Sequence, residues 1–137
     1  MLTIRRVQMD ALAAVALEAF EARLAAFLEE REPARIAALG EGGLPRFVRE
    51  GIARARGYGI ASERDVLAFV GLLLERGASF GLEGKDAWAG AIFARAGVPA
   101  AMRLEKVKQR LAAEDEIRAS RASARGAERG GGDAGRA

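Results

Sequence analysis

SERDVLAFVGLLLERG, residues 62–77, has the features of a complete helix, including both of its ends. Ser62 can accept a hydrogen bond from a free N–H group of the first turn, and two acidic residues there favour the positive end of the helix dipole. Gly77 can adopt the left-handed conformation that ends many helices. Between the ends, Val66 to Leu74 are apolar on every side of the helix, in a run shorter than the roughly 20 residues that cross a bilayer. We therefore predict a central helix with other helices packed around it.

A long amphipathic segment precedes this central helix. After a short extended lead-in, Leu2–Ile4, apolar residues recur at steps of three and four from about Arg5 to Arg31, which predicts a helix. Pro33 ends that helix, because the residue before a proline is pushed out of the helical region, and it suits the start of a short helix to Leu39. The apolar stripe of the long helix comprises Met9, Ala13, Leu17, Phe20, Leu24, Phe27 and Leu28.

Three further helices are predicted from the same spacing, at about Leu44–Arg56, Lys85–Arg95 and Pro99–Ile117. Their expected inward faces are Leu44, Phe47, Val48, Gly51, Ile52 and Ala55 in the first, Trp88, Ala91 and Ile92 in the second, and Ala100, Leu104, Val107 and Leu111 in the third. Phe80 and Leu82 are expected to turn inward from the loop after the central helix. Together these elements predict one all-α domain, residues 1–117, built as a bundle of five or six helices.

The charge of the chain is concentrated at its C-terminal end. Residues 1–117 contain 17 Lys and Arg and 17 Asp and Glu, whereas residues 118–137 contain five arginines and two acidic residues and carry the whole excess of +3. The tail has no large apolar residue, so it cannot bury enough surface to offset the entropy of ordering, and we predict that it is disordered. The high isoelectric point therefore does not indicate a nucleic-acid-binding surface on the folded part.

Several kinds of chemistry are excluded by composition. The chain has no cysteine and no histidine, which rules out disulfides, histidine-based triads and nearly every zinc or haem site. The turn at residues 40–43 does not follow a strand and lacks the Lys-Ser/Thr of a phosphate-binding loop. The acidic groups at Glu63, Asp65 and residues 114–116 suit helix ends and solvated faces. We predict no catalytic, cofactor-binding or metal-binding residue, no enzyme activity and, without a signal-peptide segment, a cytoplasmic location.

An arginine-bearing face on the helix at residues 44–56 is one candidate for phosphate binding. However, Glu50 lies four residues from both Arg46 and Arg54, a spacing that predicts a surface charge ladder. No aromatic residues are interleaved with the arginines. Nucleic acid is therefore not the expected partner of the folded part, although the tail arginines offer weak, salt-sensitive binding.

The candidate partner-binding residues are Phe80, Trp88 and Ile92. Aromatic residues such as the first two are either core residues or anchors of an interface. Core packing is favoured for Trp88, since a small domain with a single tryptophan usually uses it for packing. If these side chains face outward, the Phe80–Ile92 side is the predicted binding face. The oligomeric state and the partner's identity do not follow from the sequence.

A pattern of residues running from about Leu2 to Ile92 resembles a group of small helical proteins encoded beside type VI secretion tip and toxin genes of Gram-negative bacteria. The residues that carry the resemblance are Ile4-Arg5, Gln8-Met9, Leu12, Ala38-Leu39-Gly40-Glu41, Gly51-Ile52, the stretch Tyr58 to Val66, Gly77, Phe80 and Trp88. Two positions depart from the group's pattern, which has an aromatic residue at Glu32 and a proline at Ala87.

The resemblance implies a cytoplasmic accessory protein that binds another protein, such as an adaptor, chaperone or immunity protein of a secreted effector or tip component. It implies no active-site residues. The alternative that the residues leave open is a nucleic-acid-associated or regulatory helical protein, which would use the basic tail and the arginine-bearing helix face.

Overall fold

The computed structural model describes the backbone of residues 2–134 and the side chains of residues 14–127. Over that backbone the chain forms helices and connecting turns, without a strand. The α-helices are α1 (Leu2–Arg31), α2 (Pro33–Ala38), α3 (Gly43–Gly57), α4 (Glu63–Arg76), α5 (Ala87–Phe93) and α6 (Ala100–Ala134), and a 3-10 turn (Gly84–Asp86) precedes α5. The predicted all-α bundle of five or six helices is confirmed.

Helix α4 is the central element, as its apolar sequence predicts. The Ser62 hydroxyl accepts a hydrogen bond from the Asp65 N–H at 3.2 Å and so caps the helix. At the other end Gly77 has a positive φ of 112° but a ψ of 148°, so α4 ends in an extended conformation and not in the predicted left-handed helical one. Helix α4 contacts α1, α3 and α6. Its buried residues are Val66, Phe69, Val70, Leu72, Leu73 and Leu74.

Helix α1 runs in the same direction as α4. Arg23 of α1 forms an ion pair of 2.8 Å with Glu63 at the start of α4. Arg35, in the α2 helix that directly follows α1, donates a hydrogen bond of 2.7 Å to the carbonyl of Glu75 at the end of α4. Each of these two contacts joins residues that are forty positions apart in sequence, and they lie at opposite ends of α4. Together they fix a parallel arrangement of α1 and α4.

Helix α6 is also parallel to α4. At its start, Arg103 donates a hydrogen bond of 2.7 Å to the carbonyl of Tyr58, a few residues before α4 begins. Further along, Asp115 accepts a hydrogen bond of 2.7 Å from Arg76, the last residue of α4. The predicted inward residues Leu104, Val107 and Leu111 of α6 are buried. Helices α1, α4 and α6 therefore share one direction.

Arg103 acts as a buried connector between segments, a role that its residue type did not predict. It is 6% exposed, and its guanidinium donates hydrogen bonds to the carbonyls of Val98 at 2.9 Å, of Tyr58 and of Phe93. These carbonyls lie where the chain leaves helices or turns, so they lack helical partners of their own. One arginine thus joins the ends of α3 and α5 to the start of α6.

The predicted charge ladder on α3 is only half correct. Arg46 pairs with Glu50 at 3.1 Å, as expected. Arg54 instead turns away from Glu50 and donates hydrogen bonds to the carbonyls of Ala78, at 3.2 Å, and Phe80. Two unsatisfied loop carbonyls attract this guanidinium more strongly than one exposed carboxylate does, because surface ion pairs contribute little. Arg54 is therefore a structural residue that holds the loop after α4.

The inward face of α5 differs from the predicted stripe. Ala89 and Phe93 are buried, Ala91 is exposed, and Trp88 and Ile92 are half-buried. The cause is a close approach of backbones: a Cβ atom on Gly90 would lie 2.0 Å from the carbonyl oxygen of Gly81. That contact turns α5 so that Phe93 enters the core. Phe80 is buried as predicted, whereas Leu82 is exposed and that prediction is wrong.

Both ends of the chain are more helical than predicted. Helix α1 begins at Leu2, so the lead-in is not extended, and α6 continues to Ala134, so the segment predicted to be disordered is helical that far. Alanine and arginine are good helix formers and here extend a helix that is already nucleated. Residues 118–127 are exposed, in keeping with their lack of large apolar side chains. Residues 135–137, and the side chains of Met9 and Ala13, lie outside the described parts.

Candidate partner-binding groove

One face of the central helix is left uncovered. Leu67, Ala68 and Gly71 of α4 are only half-buried, while the other apolar residues of this helix lie in the core. These three positions follow the i, i+1, i+4 spacing that places residues on one side of a helix. An apolar helix should be covered on every side, so the uncovered face is where the structure departs from the expectation for α4.

Helices α1 and α6 form the two walls of a groove above this face. Phe27 and Arg31 line it from α1, and Lys108 and Ala112 line it from α6. The space between the walls has a volume of about 650 Å³. We call it the α4 groove: its floor is Leu67, Ala68 and Gly71, and its walls are the four residues just named. It is an open channel that runs along α4.

The groove is closed at the C-terminal end of α4 by an ion pair. Two nitrogens of Arg76 donate to the two carboxylate oxygens of Asp115, at 2.7 Å and 3.4 Å. The hydrogen bond from Arg76 lowers the pKa of the Asp115 carboxyl below its ordinary value, and the same bond raises the pKa of Arg76. This bidentate pair ties α4 to α6 and fixes the separation of floor and wall.

Two cations on the walls have no carboxylate partner. Arg31 and Lys108 make no ion pair within residues 14–127, and the Arg31 guanidinium lies over the Phe27 ring, 5.0 Å from its centroid. By contrast, the Glu32 carboxylate beside Arg31 lies 2.8 Å from the Arg35 guanidinium. The walls of the α4 groove therefore offer one available positive charge each.

Gly71 keeps the floor of the groove flat. A Cβ atom at this position would meet nothing within 4 Å, so packing inside the protein does not require glycine there. Gly51 of α3 is different, because its Cβ would lie 3.0 Å from a methyl group of Val70. Glycine within a helix costs roughly 0.5–1 kcal/mol relative to alanine. At Gly71 no close contact within the folded chain requires glycine and so explains this cost.

The residues predicted for partner binding lie elsewhere, in the packing between α5 and α6. Phe80 is 3% exposed and belongs to the core. Its ring meets the edge of Trp88 at a centroid distance of 6.4 Å, and the guanidinium of Arg110 covers the Trp88 ring at 4.1 Å. Ile92 is half-buried on the same side of α5. Trp88 and Ile92 thus present part of their surface, whereas Phe80 does not.

Sequence reasoning did not find the α4 groove, although one signal was available. Small residues at positions 68 and 71 interrupt a run of large apolar side chains in the most apolar helix of the chain. What the pattern could not supply is which side of α4 the neighbouring helices leave open. The open side depends on where α1 and α6 lie. Their positions in turn depend on the ion pairs and carbonyl contacts at the ends of α4.

No known protein family, curated protein or solved structure matches this chain. Within the described residues, no group of three or more acidic side chains is arranged to hold a metal ion. In the same part of the chain, no helix combines the length and the apolar character needed to cross a membrane.

Proposed function

We propose that this chain is a non-catalytic accessory protein that binds a helical segment of a partner protein in the α4 groove. The observation that carries the proposal is the uncovered face of α4 at Leu67, Ala68 and Gly71. An apolar helix face gains free energy when it is removed from water, by about 25 cal/mol for each Å² buried. A channel lined by parallel helices is the kind of surface that receives an amphipathic helix.

The shape of the α4 groove favours a helix over a small molecule. Pockets for small ligands enclose most of the ligand surface with convergent polar groups. Here the channel is open along α4, and the polar groups at its closed end, Arg76 and Asp115, are already bonded to each other. The small residues Ala68, Gly71 and Ala112 let a helix of the partner approach α4 at the short end of the usual interaxial range, about 8 Å.

The biological setting of the proposal comes from the resemblance of residues 2–92 to helical proteins encoded beside type VI secretion tip and toxin genes. On that basis the partner is a secreted effector or a tip component, and the protein is an adaptor, chaperone or immunity protein that acts in the cytoplasm. The groove supports this proposal because holding an exposed amphipathic helix of an effector before secretion requires such a surface.

Filling the groove tests the proposal. Gly71→Leu places a large side chain where a Cβ meets open space, so we expect the variant to fold and to lose its partner. The measurement is co-purification with candidate effector and tip proteins, each co-expressed with the wild type or the variant. Gly126→Leu is the matched control, since Gly126 is also helical and unobstructed but lies on the exposed part of α6. Undiminished capture by Gly71→Leu would contradict the proposal.

A second candidate function is suggested by the exposed part of α6. Arg118, Arg121 and Arg125 follow the same three-and-four spacing as the buried stripe of α6 and make no ion pair within residues 14–127. Such a stripe suits phosphates, and this is the nucleic-acid-associated alternative. Titration of a labelled DNA duplex at about 50 and 200 mM salt separates the two, because binding through phosphates weakens steeply with salt.

A further inference from the structure

The α4 groove carries the same sign of available charge on both of its walls. Arg31 stands on the α1 wall and Lys108 on the α6 wall, and neither makes an ion pair within residues 14–127. Two of the acidic residues that line the groove are held by arginines: Glu32 by Arg35 and Asp115 by Arg76. The remaining one, Glu75, lies at the closed end.

We infer that the α4 groove selects an acidic amphipathic helix, whose narrow apolar stripe lies on Leu67, Ala68 and Gly71 while carboxylates on both of its flanks meet Arg31 and Lys108. This inference rests on the proposed function and specifies the partner's chemistry. A helix seated between parallel walls presents one flank to each wall. Cations on both walls therefore favour a helix that is acidic on both flanks and disfavour one that is basic there.

The position of the two cations adds a constraint on the partner helix. The guanidinium of Arg31 rests over the Phe27 ring at 5.0 Å, which holds the charge at the wall. Since Gly71 and Ala112 have no bulk to fill the channel, the partner's stripe must supply medium-sized apolar side chains above them. Closer to the end of α4, Glu75 disfavours a further carboxylate. The acidic flanks thus belong to the turns that lie beside Arg31 and Lys108.

Two synthetic peptides test the inference. Both are helix-stabilised, about 14 residues or four turns long, and share one Leu/Ala stripe; one carries Glu on both flanks and the other carries Lys. Binding is measured by fluorescence anisotropy against the full chain. We expect the Glu peptide to bind at least tenfold more tightly than the Lys peptide, and Gly71→Leu to abolish its binding.

The double variant Arg31→Gln/Lys108→Gln should weaken the Glu peptide by about three- to tenfold, the effect of two exposed ion pairs. Its matched control is Lys85→Gln/Arg95→Gln, which removes the same charge from exposed residues outside the groove and should leave the affinity unchanged. Thermal melts of every variant establish that each is folded.

The outcomes separate this inference from the proposed function. Equal binding of both peptides, lost in Gly71→Leu, would retain the groove as a helix site and overturn the acidic preference. Binding of neither peptide would overturn the proposed function as well. Sedimentation of the protein alone provides the remaining check: a dimer that Gly71→Leu converts to a monomer would assign the groove to a second copy and overturn the inference.

Discussion

At the scale of single residues, Gly51 and Gly71 lie in adjacent helices but face different surroundings. The first touches Val70 across the contact of α3 with α4, and the second faces the open α4 groove. Both positions have ordinary helical backbone conformations, so replacement by alanine removes the same backbone cost at each. Any difference between the two substitutions then reports on the space around the added methyl group.

We predict that Gly71→Ala stabilises the protein by about 0.5–1 kcal/mol, because alanine is the better helix former and meets nothing there. Gly51→Ala should be less stable than Gly71→Ala by about 1–3 kcal/mol, the usual cost of overpacking a well-filled contact. Urea denaturation of both variants gives the two free energies of unfolding. Equal stability of the variants would show that Val70 moves aside freely, against the tight contact of α3 with α4.

The Arg76–Asp115 ion pair predicts a pH dependence at the same scale. The hydrogen bond from Arg76 lowers the pKa of the Asp115 carboxyl in the folded state. The carboxylate therefore stabilises the fold fully above its unfolded-state pKa of about 4, and this stabilisation is lost as the pH falls through the folded-state pKa. Asp115→Asn should therefore lower the free energy of unfolding at neutral pH, and its difference from wild type should vanish below that range. Urea denaturation at several pH values measures this, with the neighbouring Glu116→Gln as control. A difference that persists in strong acid would contradict the assignment.

At the scale of elements, α6 changes character along one face. The buried residues Leu104, Val107 and Leu111 are followed at the same spacing by Glu114, Arg118, Arg121 and Arg125. The helix leaves the bundle where this stripe becomes charged, because the charged side chains remain in water. From Leu111 to Ala134 the helix extends for about 35 Å.

Removal of residues 118–137 should leave the melting temperature unchanged within error, since residues 118–127 bury nothing. The mean residue ellipticity at 222 nm tests the conformation of residues 118–134, which we call the α6 arm. Because α6 continues to Ala134, the removed segment is mostly helical, and the mean residue ellipticity should stay nearly unchanged, whereas the removal of a disordered segment would increase its magnitude. A loss of several degrees in melting temperature would show that the arm docks on the bundle and would contradict its exposed placement.

Elements with strong apolar spacing could be predicted, and those set by tertiary contacts could not. The Ser62 cap at the start of α4 and the inward stripes of α3 and α6 follow from cap residues and periodicity, whereas the conformation of Gly77 at the end of α4 does not. The inward face of α5 does not follow from them, because it depends on the close approach of the Gly81 and Gly90 backbones, and local periodicity does not indicate that contact. The role of Arg103 is equally invisible in sequence, since the carbonyls it binds belong to three separate segments.

At the scale of the whole molecule, the α4 groove is a result of where the other helices lie around α4. Helices α1, α3 and α6 make the main contacts with it, and the short α2 and α5 reach it through single side chains, Arg35 at the Glu75 carbonyl and Phe93 at the Phe69 ring. None of these helices lies over Leu67, Ala68 and Gly71, so that stripe stays half-buried. The sequence could predict that α4 needs full cover, but the lengths and positions of the other helices decide that the cover is incomplete.

The shared direction of α1, α4 and α6 also determines how the molecule responds to force. Since α1 begins at one end of the bundle and α6 extends beyond the other, a pull between Leu2 and Ala134 acts along the helices. Such a load slides α1 and α6 past α4. It strains their packed side chains and, at the same time, the ion pairs at the two ends of α4, Arg23–Glu63 and Arg76–Asp115. A load that peels helices apart breaks contacts one after another. The fold should therefore resist tension between its ends better than its size suggests, which single-molecule pulling can measure.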